Sequence, residues 1–96
     1  MKLVYTDLAV EDLRRVRAFV EETNPPAARR VANETVDHTA KLPRFPRMGR
    51  PVERAPDPQT IRDLIFGRYV VRYSVHETSI VVLRIWHHLE ERDQGP

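Results

Sequence analysis

The apolar positions of the first forty residues follow two periods. Lys2, Leu3, Val4 and Tyr5 alternate polar and apolar over four residues and predict a short opening strand. After Thr6 or Asp7, either able to cap the first turn of a helix, Ala9, Leu13, Val16 and Val20 recur at i, i+4, i+7 and i+11. This predicts a helix to about Glu22, with Phe19 widening the stripe and Glu11, Asp12, Arg14, Arg15 and Glu22 on its polar side. Asn24 and Pro25 mark a second helix start, since proline loses no hydrogen bond at the first helical position. Ala28, Val31, Thr35, Thr39 and Leu42 trace the buried side of that helix, which is expected to end before Pro43. Two amphipathic helices with so short a link predict an antiparallel hairpin.

Residues 43–60, "PRFPRMGRPVERAPDPQT", hold five of the eight prolines and no sustained period. They predict a long loop, and loops of that length inside compact domains usually carry function. Beyond them the period becomes two. "FGRY" puts Gly67 first in a two-residue type II′ turn, pairing Phe66 with Tyr69 and Arg62 with Tyr73. "HETS" at 76–79 forms the second turn, pairing Val75 with Ile80 and, by continuous counting, Val71 with Arg84. Alternation then gathers Arg62, Leu64, Phe66, Tyr69, Val71, Tyr73, Val75, Ile80, Val82, Arg84 and Trp86 on one face. Ile61, Asp63, Ile65, Val70, Arg72, Ser74, Val81, Leu83 and Ile85 fall on the other.

Both faces are largely apolar, so each needs a cover. The aliphatic face suits the helical hairpin, leaving the face of Arg62, Tyr69, Tyr73, Arg84 and Trp86 for a partner, loop or substrate. The fold class expected is α+β, a short N-terminal strand and an antiparallel helical hairpin packed on a twisted antiparallel sheet.

The 96 residues fit one domain over 1–96. The absence of cysteine excludes disulfide and thiolate chemistry. No run resembles a signal peptide or approaches the roughly 20 apolar residues of a membrane span, so a soluble cytoplasmic protein without a membrane partner is expected. Net charge is only +2, but it is uneven. Residues 1–40 carry six Lys/Arg against seven Asp/Glu, residues 41–72 eight against three, and residues 73–96 two against four. Fourteen of the sixteen cations are arginine, whose planar fork suits phosphate and carboxylate, although a GC-rich genome explains the excess equally well.

Arg62 and Arg84, beside Tyr73 and Trp86, form an arrangement able to grip phosphates while a base stacks, or to stabilise charge in phosphoryl transfer. The plain alternative is that they anchor acidic residues of a partner or of the chain's own tail. Arg72 faces Asp63 across strands, which predicts an ion pair, and Arg68 falls in a solvated turn. His87 and His88 are candidate proton-transfer groups, although strand alternation lets only one, His88, reach the arginine face. His87 is otherwise expected to pack at the sheet end. Arg44, Arg47, Arg50 and Arg54 form either a flexible basic rim for nucleic acid or an acidic protein, or a solvated loop. His38 and His76 lie far off, with no metal-ligand spacing, so neither a metal nor a cofactor is expected.

"AVEDLRRVRAFVEETNPPAARRVANETV", "LPRFPRMGRPV", "IRDLIFGRYVVRYSV" and "IVVLRIWHHLEER" together resemble the RelE/ParE superfamily of bacterial toxin–antitoxin modules over nearly the whole chain. Its most specific pieces are Asp12-Leu13, the "NPPAA" link, the turn at 46–50, and "GRYVVRY" followed by "LRIWH". The resemblance implies a cognate antitoxin, a small ParD- or RelB-like protein, and a complex that contacts operator DNA through that antitoxin. RelE-like members cut mRNA on the ribosome, and ParE-like members poison DNA gyrase. Arg62, Arg84 and His87 match family positions, with His88 beside them as a further proton-transfer candidate if the chain is a nuclease. Lysine occurs only at 2 and 41, however, and no tyrosine follows Tyr73. These departures favour the ParE-like, non-nuclease reading, with a nontoxic binding module as a third class.

Overall fold

The computed structural model describes residues 1–90. The chain runs β1 (Lys2–Tyr5), α1 (Asp7–Glu21), α2 (Pro25–Thr39), β2 (Arg50–Pro51), β3 (Ile61–Phe66), β4 (Tyr69–Val75) and β5 (Ser79–His87). Thr6 is the cap of α1: its hydroxyl accepts from the Ala9 N–H at 3.0 Å and donates to the Leu83 carbonyl at 3.1 Å, tying the helix start to β5. Asn24 caps α2 by accepting from the Ala27 N–H at 3.1 Å. That helix stops at Thr39, three residues before Leu42, yet the tight turns beyond it still deliver Leu42 to a fully buried position.

The sheet has the order β1-β5-β4-β3-β2. It is mixed, because β1 runs parallel to β5 (Leu3 opposite Ile80) while the other pairs are antiparallel. The first hairpin has the expected register, Phe66 with Tyr69 and Arg62 with Tyr73. Within the turn Gly67 carries a positive φ, +53°, and Arg68 does not, the combination a type II′ turn requires.

The second hairpin departs from the count. Val75 pairs with Ile80 and Tyr73 with Val82, but Arg72 then pairs with Arg84 and Val71 with Ile85. Leu83 is therefore an extra residue, a β-bulge that reverses the facing of everything after it. Arg84 and Trp86 leave the face of Tyr73, and Ile85 and His87 join it.

The helices also choose the face opposite to the expected one. Leu64, Phe66, Tyr69, Val71, Tyr73, Ile80, Val82 and Ile85 are buried with Ala9, Val16, Val20, Ala28 and Val31 in one core. On the other side Ile65 stays 47% exposed. The larger aromatic side chains remove more apolar area from water, the Tyr73 hydroxyl finds partners in the loop, and among the described residues no buried side-chain nitrogen or oxygen lacks a hydrogen-bond partner. No described helix is long and apolar enough to cross a membrane.

Candidate functional site

Tyr73 rises from the centre of β4, fully buried, and ends against residues 46–49. Its hydroxyl accepts from the Gly49 N–H at 2.9 Å and donates to the Pro46 carbonyl at 2.8 Å. Burial pushes its pKa up, against smaller opposing effects of the Gly49 N–H and Arg62, so it stays a neutral donor. Arg62, 5% exposed, closes the same clamp: Nη1 donates to the Gly49 carbonyl at 2.8 Å, Nε to the Gln59 carbonyl at 3.2 Å, and Nη2 to Gln59 Oε1 at 3.1 Å. A Cβ on Gly49 would lie 2.7 Å from the Tyr73 hydroxyl and 2.8 Å from the Asp63 carbonyl, so only glycine lets the backbone approach this closely. The turn is thereby held, and Arg44, Arg47, Arg50 and Arg54 stand exposed on and around it.

Arg62, Tyr69 and Tyr73 thus lie buried on the core face of the sheet, Arg62 and the Tyr73 hydroxyl beneath the loop, and not on an open binding face. The open face expected from the sequence is absent because the bulge at Leu83 breaks continuous alternation and the larger aromatic side chains draw the core to this side. The basic loop is tethered rather than a freely flexible rim. The turn at 46–50, with Pro46 and Gly49, stands out in the sequence only as a family motif, and nothing there points to it or to Gln59 as a tether. The available signal was a glycine inside a proline-rich loop next to a strand rich in arginine and tyrosine.

Arg84 is committed elsewhere. Nε and Nη2 donate to the Asp12 carboxylate at 2.8 and 3.1 Å, and the Ile85 N–H donates to it at 2.9 Å. Arg15 adds a further bond to Asp12 and donates to the Ile85 carbonyl at 2.8 Å and to Glu90 at 2.8 Å. Burial alone would raise the Asp12 pKa, but the bonds from Arg84, the Ile85 N–H and Arg15 win and hold it below the usual carboxylate value. The same ion pairs push the arginines up, Arg15 chiefly through Glu90 and Arg84 through Asp12. Asp12, expected on the polar side of α1, is instead 2% exposed and takes the N–H that the bulge removes from the ladder. The anchoring acid expected from a partner or from the chain's own tail is therefore a helix residue, and residues 91–96 of that tail lie outside the described residues.

His87 packs between Phe19 and Tyr69, with ring centroids at 5.2 and 5.5 Å, as expected of a residue closing the sheet end. Burial, then His88 and Arg68, lower its pKa against the opposing pull of Glu90, so the neutral ring is favoured. Its Nδ1 accepts from the Leu89 N–H at 3.1 Å. His88 is exposed, stacked 5.1 Å from His87, with its N–H bonded to the Arg68 carbonyl at 2.9 Å. Arg72 forms the expected fork with Asp63 at 2.9 and 3.0 Å and lies 5.1 Å from the Trp86 ring. Arg62, Arg84, His87 and His88 consequently do not converge: two are buried on the helix side, one is bound to Asp12 at the bulge, and one faces water.

The surface features next to the tether are a basic rim and an open cleft of about 480 Å³, lined by His38, Lys41, Met48, Arg50 and Asp63 through Phe66. His38 stacks on Phe66 at 4.2 Å. Among the described residues no group of three or more His, Asp or Glu is placed to hold a metal.

Comparison with known proteins fits this geometry. A search of curated proteins finds no match. The chromosomal ParDE TA system from P. aeruginosa is similar in fold, with a TM-score of 0.75 at 23% identity, covering 91% of this chain and 95% of that one. The toxin–antitoxin complex RelBE2 from Mycobacterium tuberculosis aligns with a TM-score of 0.63 at 25% identity, over 90% of this chain and 95% of that one. A conserved hypothetical protein from Helicobacter pylori aligns with a TM-score of 0.58 at 17% identity, over 94% and 97%. The family model described as the ParE toxin of the type II toxin–antitoxin system, parDE, matches residues 3–92. With that match spanning the strand, the helical hairpin, the tethered loop and the sheet, the chain belongs to the ParE toxin family of type II toxin–antitoxin systems.

Proposed function

We propose that this toxin acts by binding and inhibiting DNA gyrase and is neutralised by a small ParD- or RelB-like antitoxin, whose complex with it meets operator DNA through the antitoxin. The observation that carries this reading is the ParE family match over residues 3–92. Further support comes from the commitments of the candidate nuclease side chains. A guanidinium that grips a scissile phosphate needs donors aimed at open space, whereas Arg62 spends its donors on Gly49 and Gln59 and Arg84 on Asp12. The tethered Arg44, Arg47, Arg50 and Arg54 instead offer a preset basic surface, which steers an acidic macromolecule at low ordering cost.

The alternative, ribosome-dependent mRNA cleavage, draws support from exposed His88 beside His87 and from the fold shared with RelBE2. Purified toxin is expected to block supercoiling by purified gyrase and to leave mRNA on programmed ribosomes intact. Unimpaired supercoiling together with mRNA cleavage that disappears in His88→Ala would replace the leading reading by the alternative.

A further inference from the structure

The turns that follow α2 carry cations with no acid among them. From His38 to Val52 the chain has no aspartate or glutamate, while Lys41, Arg44, Arg47 and Arg50 are all exposed. Among the described residues none of these four forms an ion pair, and Asp63, opposite Arg50 in the ladder, is already held by Arg72. Arg14, Arg15, Arg30, Arg72 and Arg84 each meet a carboxylate, so the bare cluster is a local feature of this stretch.

Like charges this close repel one another, yet the fold holds them in place. The Arg44 and Phe45 N–H groups donate to the Lys41 carbonyl at 3.2 and 2.9 Å, and the Met48 N–H donates to the Phe45 carbonyl at 3.1 Å. The Tyr73 hydroxyl and Arg62 then fix Pro46 and Gly49 from within. A polyanion therefore meets a surface that is already ordered.

What the cations flank selects the polyanion. Phe45 is 54% exposed and Met48 43%, and with Arg44, Pro46 and Arg47 they line one open hollow, so apolar and cationic side chains form a contiguous surface. The Arg44 guanidinium lies 5.7 Å from the Phe45 ring. Acidic protein surfaces intersperse their carboxylates with other groups, whereas cations uninterrupted by acid match an uninterrupted row of phosphates. Single-stranded nucleic acid is held by successive aromatic platforms, and residues 41–50 carry one aromatic ring, Phe45. Duplex RNA presents a wide, shallow minor groove that does not enclose a turn. The minor groove of B-form DNA is about 6 Å wide, has phosphates on both sides, and admits arginine together with an apolar wedge at a base step. The run Arg44-Phe45-Pro46-Arg47-Met48 supplies both parts.

We infer that the turn at 44–48 binds duplex DNA directly. Lys41, Arg44, Arg47 and Arg50 neutralise phosphates on either side of the minor groove, and Phe45 and Met48 press against a base step. This goes beyond the gyrase reading and does not depend on it, because the toxin makes the contact alone and without the antitoxin.

The test is fluorescence anisotropy of purified toxin with a labelled, A·T-rich DNA duplex of about twenty base pairs over a series of salt concentrations. Log affinity should fall with log salt at a slope between about −3 and −4, the value for about four phosphates neutralised. Arg44→Ala with Arg47→Ala should reduce that slope by about two. Phe45→Ala should weaken binding about tenfold and leave the slope as it was. Single-stranded DNA and duplex RNA of the same length should each bind at least about tenfold more weakly than the DNA duplex. All three substituted side chains are exposed, and circular dichroism checks that each variant is folded. No binding at low salt, a slope that the double variant leaves unchanged, a Phe45→Ala variant as tight as wild type, or equal affinity for duplex RNA overturns the inference. A double variant that loses gyrase inhibition while the wild-type toxin binds no DNA also overturns it, since the arginines then read an acidic protein. DNA binding with the expected slope, in a toxin that leaves supercoiling untouched, upholds the inference and removes the gyrase reading.

Discussion

Arg62 and Arg84 stand on the two strands flanking β4, and each holds a distant part of the chain, but their acceptors differ. Arg84 meets a carboxylate, Asp12, which also bonds Arg15 and the Ile85 N–H. Arg62 is more deeply buried, yet among the described residues it reaches only neutral acceptors, the Gly49 and Gln59 carbonyls and the Gln59 amide. The first clamp joins helix to sheet through charge, so acid can open it. The second joins loop to sheet through amide dipoles and a tyrosine, and no carboxylate in it can be protonated. One chain thus uses the same side chain for an acid-sensitive and an acid-insensitive anchor, the difference lying in the acceptor.

The largest expected effect breaks the charged clamp. Asp12→Ala strands the Ile85 N–H and removes the common partner of Arg84 and Arg15. Urea unfolding should show a loss of about 3 kcal/mol, the low end for a broken buried pair because both arginines still reach water. A loss no greater than that of an ordinary surface substitution would remove Asp12 from its place at the centre of the fold.

Gly49→Ala should come next, at about 2 kcal/mol, since the new methyl meets the Tyr73 ring and the Asp63 backbone and the turn must shift. Its amide exchange should accelerate around 46–50 while α1 stays protected, confining the damage to the loop. Tyr73→Phe keeps the ring in the core but orphans the Gly49 N–H, and should cost about 1–2 kcal/mol with the same local exchange signature. Unchanged exchange at 46–50 in both variants would show that the tether does not order the loop.

The smallest effect is the pH limb. Asp12 has a folded pKa below its unfolded value, so its stabilisation is present above about pH 4 and is lost as pH falls through the folded value. His87 also has a lowered folded pKa; the unfolded chain takes up its proton first, and stability declines as pH falls below about 6.5. Thermal melting against pH should therefore show two steps. His87→Phe should flatten the upper step only, and persistence of that step would assign it to another group.

The helical hairpin was legible because its signals are local. The Ala9, Val16, Val20 and Ala28, Val31, Thr35, Thr39 stripes, with caps at Thr6 or Asp7 and at Asn24, depend on contacts within a few residues. The hairpin at Gly67 and the Arg72–Asp63 pair were legible for the same reason, a two-residue turn setting the register of the strands on either side of it. The parallel pairing of β1 with β5 had no such signal, because its partners are nearly eighty positions apart.

Residue types and local periods were enough to specify the elements, the turn and the wealth of arginine in the middle of the chain. Which arginines remain available to a partner was settled only in three dimensions. A single extra residue at Leu83 flips Arg84 and Trp86 away from Tyr73, and that bulge is stabilised by Asp12, over seventy positions away. Likewise Arg62 became structural once Gly49 came within reach of Tyr73. Alternation is a local rule, whereas the satisfaction of a buried charge or N–H depends on whatever the rest of the chain brings to it.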